Sequence, residues 1–321
     1  EEIFSEMAIF NNTNTMNVSN HDDCKTEENF KYILLPAMYI ILFHTKHWKP
    51  STIYMINLNV CDTLYILTLP FLIYYYADKN DWPFGELMCK LIRFLFYTNL
   101  YGSILFLSCI SLHRFLGVCH PMRSLYWMNS HRARLISVGI WVIILILQAP
   151  ILYFSQVRHN GNDLVCHDTT IKELFNDFLV YSTVVITVVM FLLFVLPFGV
   201  VLFCNGLMVK KLLDPSVLRE PMSQHSKRKS VKMIIIVLLA FMVCFLPFHV
   251  NRSIYYTFRY LDKHDCNIIR LSNNAYKVTR PLVSLNSCID PILYFMAGQS
   301  FRNSINKKSR IKSNKSPSAL Q

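Results

Sequence analysis

The chain has few charged residues, which make up 16% of its 321 residues, whereas soluble domains carry about 25%. Hydrophobic residues account for 53%. A chain with so little charge and so much apolar surface is not typical of a soluble domain. Its composition indicates a membrane protein.

The chain also lacks the motifs of several function classes. It has no Gly-x-Ser-x-Gly or His-Glu-x-x-His motif and no paired catalytic carboxylates, which argues against an enzyme. It has no internal repeat, which argues against a transporter or channel. The net charge is +12, but no basic face with interleaved aromatics lies on a soluble module, so we do not expect it to bind a nucleic acid polymer. Apart from sodium, which is considered below, we predict no metal site.

What is present is a series of long apolar runs. A helix that spans a membrane needs about 20 mostly apolar residues. In lipid the backbone must satisfy its own hydrogen bonds, so such runs form helices. Six runs qualify: roughly 52–77, 88–118, 135–155, 178–209, 230–258 and 273–297.

A seventh, earlier segment at residues 31–43 is too short to cross. Tyr32 to Phe43 gives about 12 mostly apolar residues before a polar stretch, against the roughly 20 required. Six spans would place both termini on one side of the membrane, which conflicts with the charge distribution. Either this segment crosses partially, or the chain lacks part of a first span.

Charge is distributed unevenly along the chain. Residues 1–30 hold seven acidic residues and one lysine, whereas the later connections and the tail are basic. Cytoplasmic loops carry an excess of lysine and arginine, so the N-terminus is predicted outside and the C-terminus in the cytosol. Asn11 and Asn17 head glycosylation sequences in the acidic segment. Asn251-Arg252-Ser253 also matches, but it lies inside a span and is predicted to be unused.

Four cysteines are predicted on the oxidising side, where disulfides persist. They are Cys24, Cys89, Cys166 and Cys266. Four cysteines allow three pairings, and the sequence alone leaves them open.

Cations lie near the predicted outer ends of three spans. Arg93 shares one helical face with Tyr97 and Tyr101, and on later spans Arg252 and Arg280 lie at similar depth. Arginines pair with phosphate through two parallel hydrogen bonds, so such a group suits a polyphosphate. Alternatively the cations reach the headgroups and bind nothing, and the aromatics are ordinary packing residues.

Several motifs resemble one receptor family. Asp290-Pro291 with Tyr294 resembles the end of the seventh helix of rhodopsin-like G-protein-coupled receptors. His113-Arg114-Phe115 resembles their Asp-Arg-Tyr motif, and Asp62 matches their second-span aspartate. Finer stretches resemble the metabotropic purinoceptors, receptors for extracellular nucleotides, and within them the branch that answers to uridine and adenine triphosphates. These stretches are Tyr74-Tyr75-Tyr76-Ala77, Trp82-Pro83-Phe84, 93–101, 248–252 and 275–281.

The resemblance implies an all-α membrane protein, a seven-transmembrane bundle with a truncated first span and a short cytosolic helix after the seventh. It divides the chain into an extracellular N-terminus (1–30), a receptor domain (31–298) and a cytosolic helix with a basic tail (299–321). It implies a plasma-membrane receptor for UTP and ATP that signals through Gq, phospholipase C and calcium, with arrestin as a further partner. No cofactor is expected beyond a structural sodium ion.

The resemblance also assigns residues to roles. It selects the disulfides Cys89–Cys166 and Cys24–Cys266. The implied ligand-binding residues are Arg93, Phe96, Tyr97, Tyr101, His249, Arg252, Tyr256, Lys277 and Arg280. The implied activation switch is Arg114, Phe245, Asp290, Pro291 and Tyr294, and the implied sodium site is Asp62, Asn286 and Asp290.

Some residues depart from the family pattern. Asn205 stands where a fifth-span tyrosine normally contacts the activating arginine, and Phe245 replaces a tryptophan. His113 replaces the usual acid. The changes at His113 and Phe245 are shared by relatives of the same branch. Two alternative functions stay open. The short first segment suggests a non-functional or retained family member, and the cations also suit a receptor for another small anionic ligand.

Overall fold

The computed structural model describes residues 50–77, 81–120, 122, 129–160, 163–167, 188–213, 224–260 and 266–297. The short segment at 31–43 and the region 299–321 lie outside these ranges, so the predictions on them keep their status as predictions. The described helices are α1 (Pro50–Ile66), α2 (Leu69–Ala77), α3 (Gly85–Cys119), α4 (Ser130–Phe154), α5 (Leu196–Leu212), α6 (Gln224–Leu239), α7 (Leu246–Tyr260) and α8 (Cys266–Ala297).

Five described helical stretches are long and apolar enough to cross a membrane. They are Pro50–Tyr75, Gly85–Cys119, Ser130–Leu152, Val188–Leu212 and Val231–Tyr255. α8 occupies the position of the last predicted span, and its 32 residues reach about 48 Å at 1.5 Å per residue. The predicted helical fold is therefore confirmed. The helices that carry the last two predicted spans begin six and seven residues before those spans, because a helix that satisfies its own backbone continues into polar sequence.

Prolines mark the irregular points in three of these spans. Proline removes a backbone donor and clashes with the carbonyl four residues earlier. Pro70 follows the break at Leu67–Thr68 between α1 and α2. π-Helical stretches at Phe191–Val195 and Ala240–Phe245 precede Pro197 and Pro247. The wider turn of a π-helix relieves the clash between the proline ring and the preceding carbonyl.

A two-stranded hairpin connects α4 to the next span. β1 (Gln156–Asn160) pairs antiparallel with β2 (Asp163–His167), with Val157 opposite Cys166. The sequence analysis did not predict this hairpin. It packs on the first residues of α3, and we call this end of the bundle the hairpin end.

α3 is the central helix. It contacts α1, α4, α5 and both hairpin strands. The core of the bundle is mainly hydrophobic but contains buried polar residues such as Asp62, Asn99 and Asp290. The outer surface carries apolar side chains: Leu135 and Ile146 on α4 are more than half exposed. The centre of α3 therefore offers buried polar and aromatic side chains to every neighbouring helix.

Candidate ligand-binding site

The aromatic floor of the site lies on one face of α3. Phe96, Tyr97 and Tyr101 are buried, and the rings of Tyr97 and Tyr101 stack with centroids 6.3 Å apart. Residues at i and i+4 of a helix lie above one another, which explains the stack. The rings of Phe96 and Tyr97 meet edge to face at 5.2 Å. Neighbouring aromatics therefore form one continuous surface.

Two arginines from different helices converge on this surface. The guanidinium of Arg280 on α8 lies 4.9 Å from the centre of the Phe96 ring, and Arg280 is only 7% exposed. Arg252 on α7 donates from Nη2 to the Tyr97 hydroxyl at 3.5 Å and lies over the Tyr276 ring at 5.2 Å. Cation–π contacts hold the planar guanidinium in place without neutralising it. Two predicted ligand cations thus contact adjacent residues of α3, Arg280 the ring of Phe96 and Arg252 the hydroxyl of Tyr97. We call Arg252, Arg280, Phe96 and Tyr97 the cation cluster.

Arg93 occupies a different position from the other two arginines. Its Nη2 donates to the backbone carbonyl of Cys166 at 2.8 Å, and its side chain is buried. Cys166 is joined to Cys89, so the predicted pairing of these two cysteines is present, with Cα atoms 5.8 Å apart. Arg93 lies one turn from Cys89 and ties α3 to the hairpin next to the disulfide.

The hairpin is fastened by two further bonds. Trp82 donates its backbone N–H to the carbonyl of Leu164 at 2.8 Å, and the Leu164 N–H donates to the Asp81 carboxylate at 2.8 Å. Gly85, with φ of +75°, allows the sharp entry into α3 that brings this segment under the hairpin. The hairpin is therefore fixed to the first turns of α3, next to the turn that carries Phe96 and Tyr97.

His249 on α7 lies on the side of the site away from the hairpin end. Its Nδ1 is 2.8 Å from the carbonyl oxygen of Phe245, and its ring stacks on Phe194 at 3.8 Å. A carbonyl only accepts, so Nδ1 carries the proton and Nε2 is an acceptor. Nε2 is buried and has no hydrogen-bond partner among the described residues. The Tyr101 ring lies 5.8 Å away.

Two residues of the site were not in the predicted set. Phe248 contacts Phe96 at 6.0 Å and Tyr276 at 6.0 Å between ring centroids. Tyr276 lies one turn from Arg280, and Phe248 one turn from Arg252, so the i, i+4 spacing could have identified both.

Several predicted residues are placed only by their backbone or lie outside the described residues. Side chains are not described for Tyr256 and Lys277, for Cys266, or for Pro291 and Tyr294. Cys24, Asn11 and Asn17 lie outside the described ranges altogether. Their assigned roles stay predictions.

A buried polar network lies in the middle of the bundle. Asp62 accepts from Asn99 Nδ2 at 3.0 Å and from Ser287 Oγ at 2.7 Å, and Asn286 Nδ2 donates to Asp290 at 2.8 Å. Both aspartates are fully buried. Two carboxylates in one interior network repel each other unless a proton or a cation reduces the charge. The sequence analysis did not predict that Asn99 joins this network.

The residues predicted to act at the far end of α3 lie beyond this network. Arg114 is partly buried, and its Nε has no hydrogen-bond partner among the described residues. Asn205 on α5 is buried, and its Nδ2 likewise lacks one. Lys211 donates to the carbonyl of Cys119 at 2.9 Å, which joins the ends of α3 and α5.

The fold and the site together define a multi-pass helical receptor with a buried polar network. Residues 35–294 match the family described as 7 transmembrane receptor (rhodopsin family). The chain belongs to this family and, within it, to the metabotropic purinoceptors. It is therefore a membrane receptor and not an enzyme.

Three purinoceptors support this assignment. Human purinoceptor 2 is 49% identical over 292 residues, which cover 86% of this chain and 76% of that one. Rat purinoceptor 4 is 42% identical over 322 residues, which cover 95% and 87%. Chicken purinoceptor 1 is 41% identical over 317 residues, which cover 92% and 85%.

Proposed function

We propose that this chain is a plasma-membrane receptor for extracellular nucleotides, with UTP and ATP as ligands. The convergence of Arg252 and Arg280 on neighbouring rings of α3 carries the proposal. A nucleoside triphosphate brings several negative charges, and guanidinium groups bind phosphate bidentately. Lys277 lies three residues before Arg280 and would add a third cation. The family assignment supports the same ligand class.

The base would bind against the aromatic part of the site. Tyr97 and Tyr101 are already stacked, and each offers a ring face or edge to a flat heterocycle. The Nε2 acceptor of His249 could take one hydrogen bond from the base or the ribose. Tyr256 follows His249 by two turns and would belong to the same face.

The coupling would proceed through the helix that carries His249. His249 binds the carbonyl of Phe245, which lies in the π-helical stretch just before Pro247. A ligand that contacts His249 more favourably in one arrangement of this bend would shift the equilibrium between arrangements. At the far end Arg114 would then meet a Gq-type G protein, with phospholipase C, calcium and arrestin downstream. Asp290, Pro291 and Tyr294 would complete the switch.

We also propose that the central network holds a sodium ion in the inactive state. Oδ1 of the Asp290 carboxylate and Oδ1 of the Asn286 side-chain amide are buried and have no hydrogen-bond partner among the described residues. With Asp62 they offer oxygen ligands and negative charge, which suits a hard cation. The ion would offset the repulsion between the two aspartates.

The orientation follows the charge distribution. The hairpin end would face outside, with Asn11 and Asn17 glycosylated and a second disulfide between Cys24 and Cys266. The basic tail would face the cytosol.

Calcium imaging in cells that express the full chain tests the receptor function. We expect UTP and ATP to raise calcium, and Arg280→Ala to abolish the response at equal surface staining. Lys90→Ala is the matched control, because Lys90 is a cation near the start of α3 that pairs with Glu86 outside the cluster. It should respond like the unchanged chain.

The other outcomes separate the alternatives. A chain retained inside the cell would support the non-functional alternative. A chain at the surface that ignores both nucleotides would overturn the nucleotide assignment, and a panel of small carboxylates would then test for another anionic ligand.

A further inference from the structure

A pair of polar side chains joins α7 and α8 at the hairpin end, outside the residues assigned above. Asn251 Nδ2 donates to the backbone carbonyl of Ser272 at 3.1 Å. In return, the Ser272 hydroxyl is 2.9 Å from the Asn251 Oδ1. The two bonds close a ring, and both residues are buried, at 8% and 5% exposed. We call this pair the clamp.

The clamp supports the prediction that the sequence Asn251-Arg252-Ser253 is not glycosylated. The Asn251 amide nitrogen, which would carry the sugar, is buried and already donates to Ser272. A buried amide with both its donor and its acceptor satisfied is well suited to fix one geometry, because breaking either bond leaves an unpaired polar group. The clamp therefore sets the distance between the two helices at this level.

Each clamp residue lies on the same helix as one arginine of the cation cluster and within about two turns of it. Arg252 follows Asn251 directly. Tyr276 and Arg280 lie one and two turns beyond Ser272 on α8. Arg252 reaches across the gap to lie over Tyr276 at 5.2 Å. Arg252 and Arg280 are therefore carried by the two helices that the clamp joins.

We propose that Asn251 and Ser272 are positioning residues that set the distance between the two cations and so determine how the receptor discriminates phosphate chain length. This inference rests on the proposed nucleotide function. A triphosphate can contact both arginines at once, and its affinity depends on their separation. A diphosphate has one phosphate fewer to place across the gap, so its affinity depends on that separation much less.

The test compares UTP with UDP on the same cells that express the full chain. The readout is the potency of UTP divided by that of UDP in calcium assays. A loss of folded receptor shifts both curves together and leaves this ratio unchanged, so the ratio separates positioning from stability. We expect Asn251→Ala and Ser272→Ala each to lower the ratio about fivefold or more, the scale of one weakened charge-assisted contact.

The double variant and two controls sharpen the test. Asn251→Ala removes both bonds of the clamp, whereas Ser272→Ala keeps the bond from Asn251 Nδ2 to the backbone carbonyl of residue 272. If the two residues act as one clamp, Asn251→Ala with Ser272→Ala therefore lowers the ratio no further than Asn251→Ala alone. Ser253→Ala and Asn274→Ala make the same chemical changes at exposed positions on α7 and α8. Both controls should keep the ratio of the unchanged chain, and Ser253→Ala also removes the glycosylation sequence.

Two outcomes overturn the inference, and they differ. If the unchanged chain responds to UTP but the clamp variants keep its ratio, or if their effects add in the double variant, the inference alone is wrong. If the unchanged chain at the surface responds to neither nucleotide, the proposed function is wrong and the inference goes with it.

Discussion

The guanidinium of Arg280 lies over the ring of Phe96, 4.9 Å from its centre, although the two residues come from α8 and α3. Arg280 is almost fully buried, so the ring face replaces part of the water that the cation loses. Phe96 in turn touches Tyr97, which accepts a hydrogen bond from Arg252. One aromatic pair on α3 thus supports both cations of the proposed phosphate site.

Phe96→Leu is expected to weaken nucleotide potency without abolishing it. The change removes a desolvated cation–π contact worth about 0.5–2 kcal/mol, which corresponds to roughly a twofold to thirtyfold loss of potency. Dose–response curves for UTP at equal surface staining measure it. Phe203→Leu is the matched control, since Phe203 is 64% exposed on α5 and its ring contacts Phe115 near the end of α3 rather than the cation cluster. Equal potency in both variants would contradict the supporting role of Phe96.

Arg93→Ala is expected to act differently from Arg280→Ala. Arg93 donates to the carbonyl of Cys166, so its loss leaves a buried carbonyl without that bond and loosens the hairpin. Such a loss costs about 1–3 kcal/mol. The unfolding temperature of the detergent-purified, ligand-free receptor should therefore fall for Arg93→Ala and change little for Arg280→Ala. The same unfolding temperature in both variants would contradict the structural role of Arg93 and leave it only the predicted role in ligand binding.

The sequence predicted the helices, because lipid imposes their length, and it named several residues that the structure brings close together. Apolar length fixes a span, and a buried charge such as Arg280 or Asp290 is costly enough to indicate function. The interruptions near Pro197 and Pro247 were predictable as bends, but their π-helical form depends on local packing. The hairpin was missed because its strands are five residues long and take their register from the disulfide and from Asp81.

Pairings between helices were the least predictable part of the site. Asn251 appears in the sequence as part of a glycosylation motif, and nothing local relates it to Ser272, which is 21 residues away. Asn99 similarly gives no sign of its bond to Asp62. Such contacts depend on the rotation of each helix about its axis, which the packing of the whole bundle decides. The family resemblance supplied the roles of single residues but not these pairs.

Sodium is expected to oppose agonist binding, and Asp62→Asn should remove that effect. An ion held by Asp62 and Asp290 would stabilise the arrangement that binds agonist less well. Replacing sodium by N-methylglucamine should raise UTP affinity for the unchanged chain about fivefold or more, the lower end of usual couplings between sites. Competition binding on membranes measures it. Asp81→Asn makes the same change at the hairpin and should keep the sodium effect. Sodium sensitivity that survives in Asp62→Asn would exclude the proposed ion site.

A close approach of α1 to α3 gives a test that does not depend on any ligand. A Cβ atom added at Gly102 would lie 2.6 Å from the Sγ of Cys61, which is closer than real side chains come. Cys61 is 1% exposed and has little room to turn away. Overpacking of this kind costs about 1–3 kcal/mol, so Gly102→Ala should lower the thermal stability of the purified receptor.

Two further variants decide whether that contact is the cause. Cys61→Ala removes the sulfur, so Gly102→Ala combined with Cys61→Ala should recover much of the lost stability, because the nearest remaining atom, the Cβ of residue 61, is 3.5 Å away. Gly117→Ala makes the same change farther along α3, where nothing lies within 4 Å, and should be neutral or slightly stabilising. If Gly102→Ala is as well tolerated as Gly117→Ala, then α1 and α3 are farther apart than the structure has them. The network built on Asp62, the next residue after Cys61, would then need a different geometry.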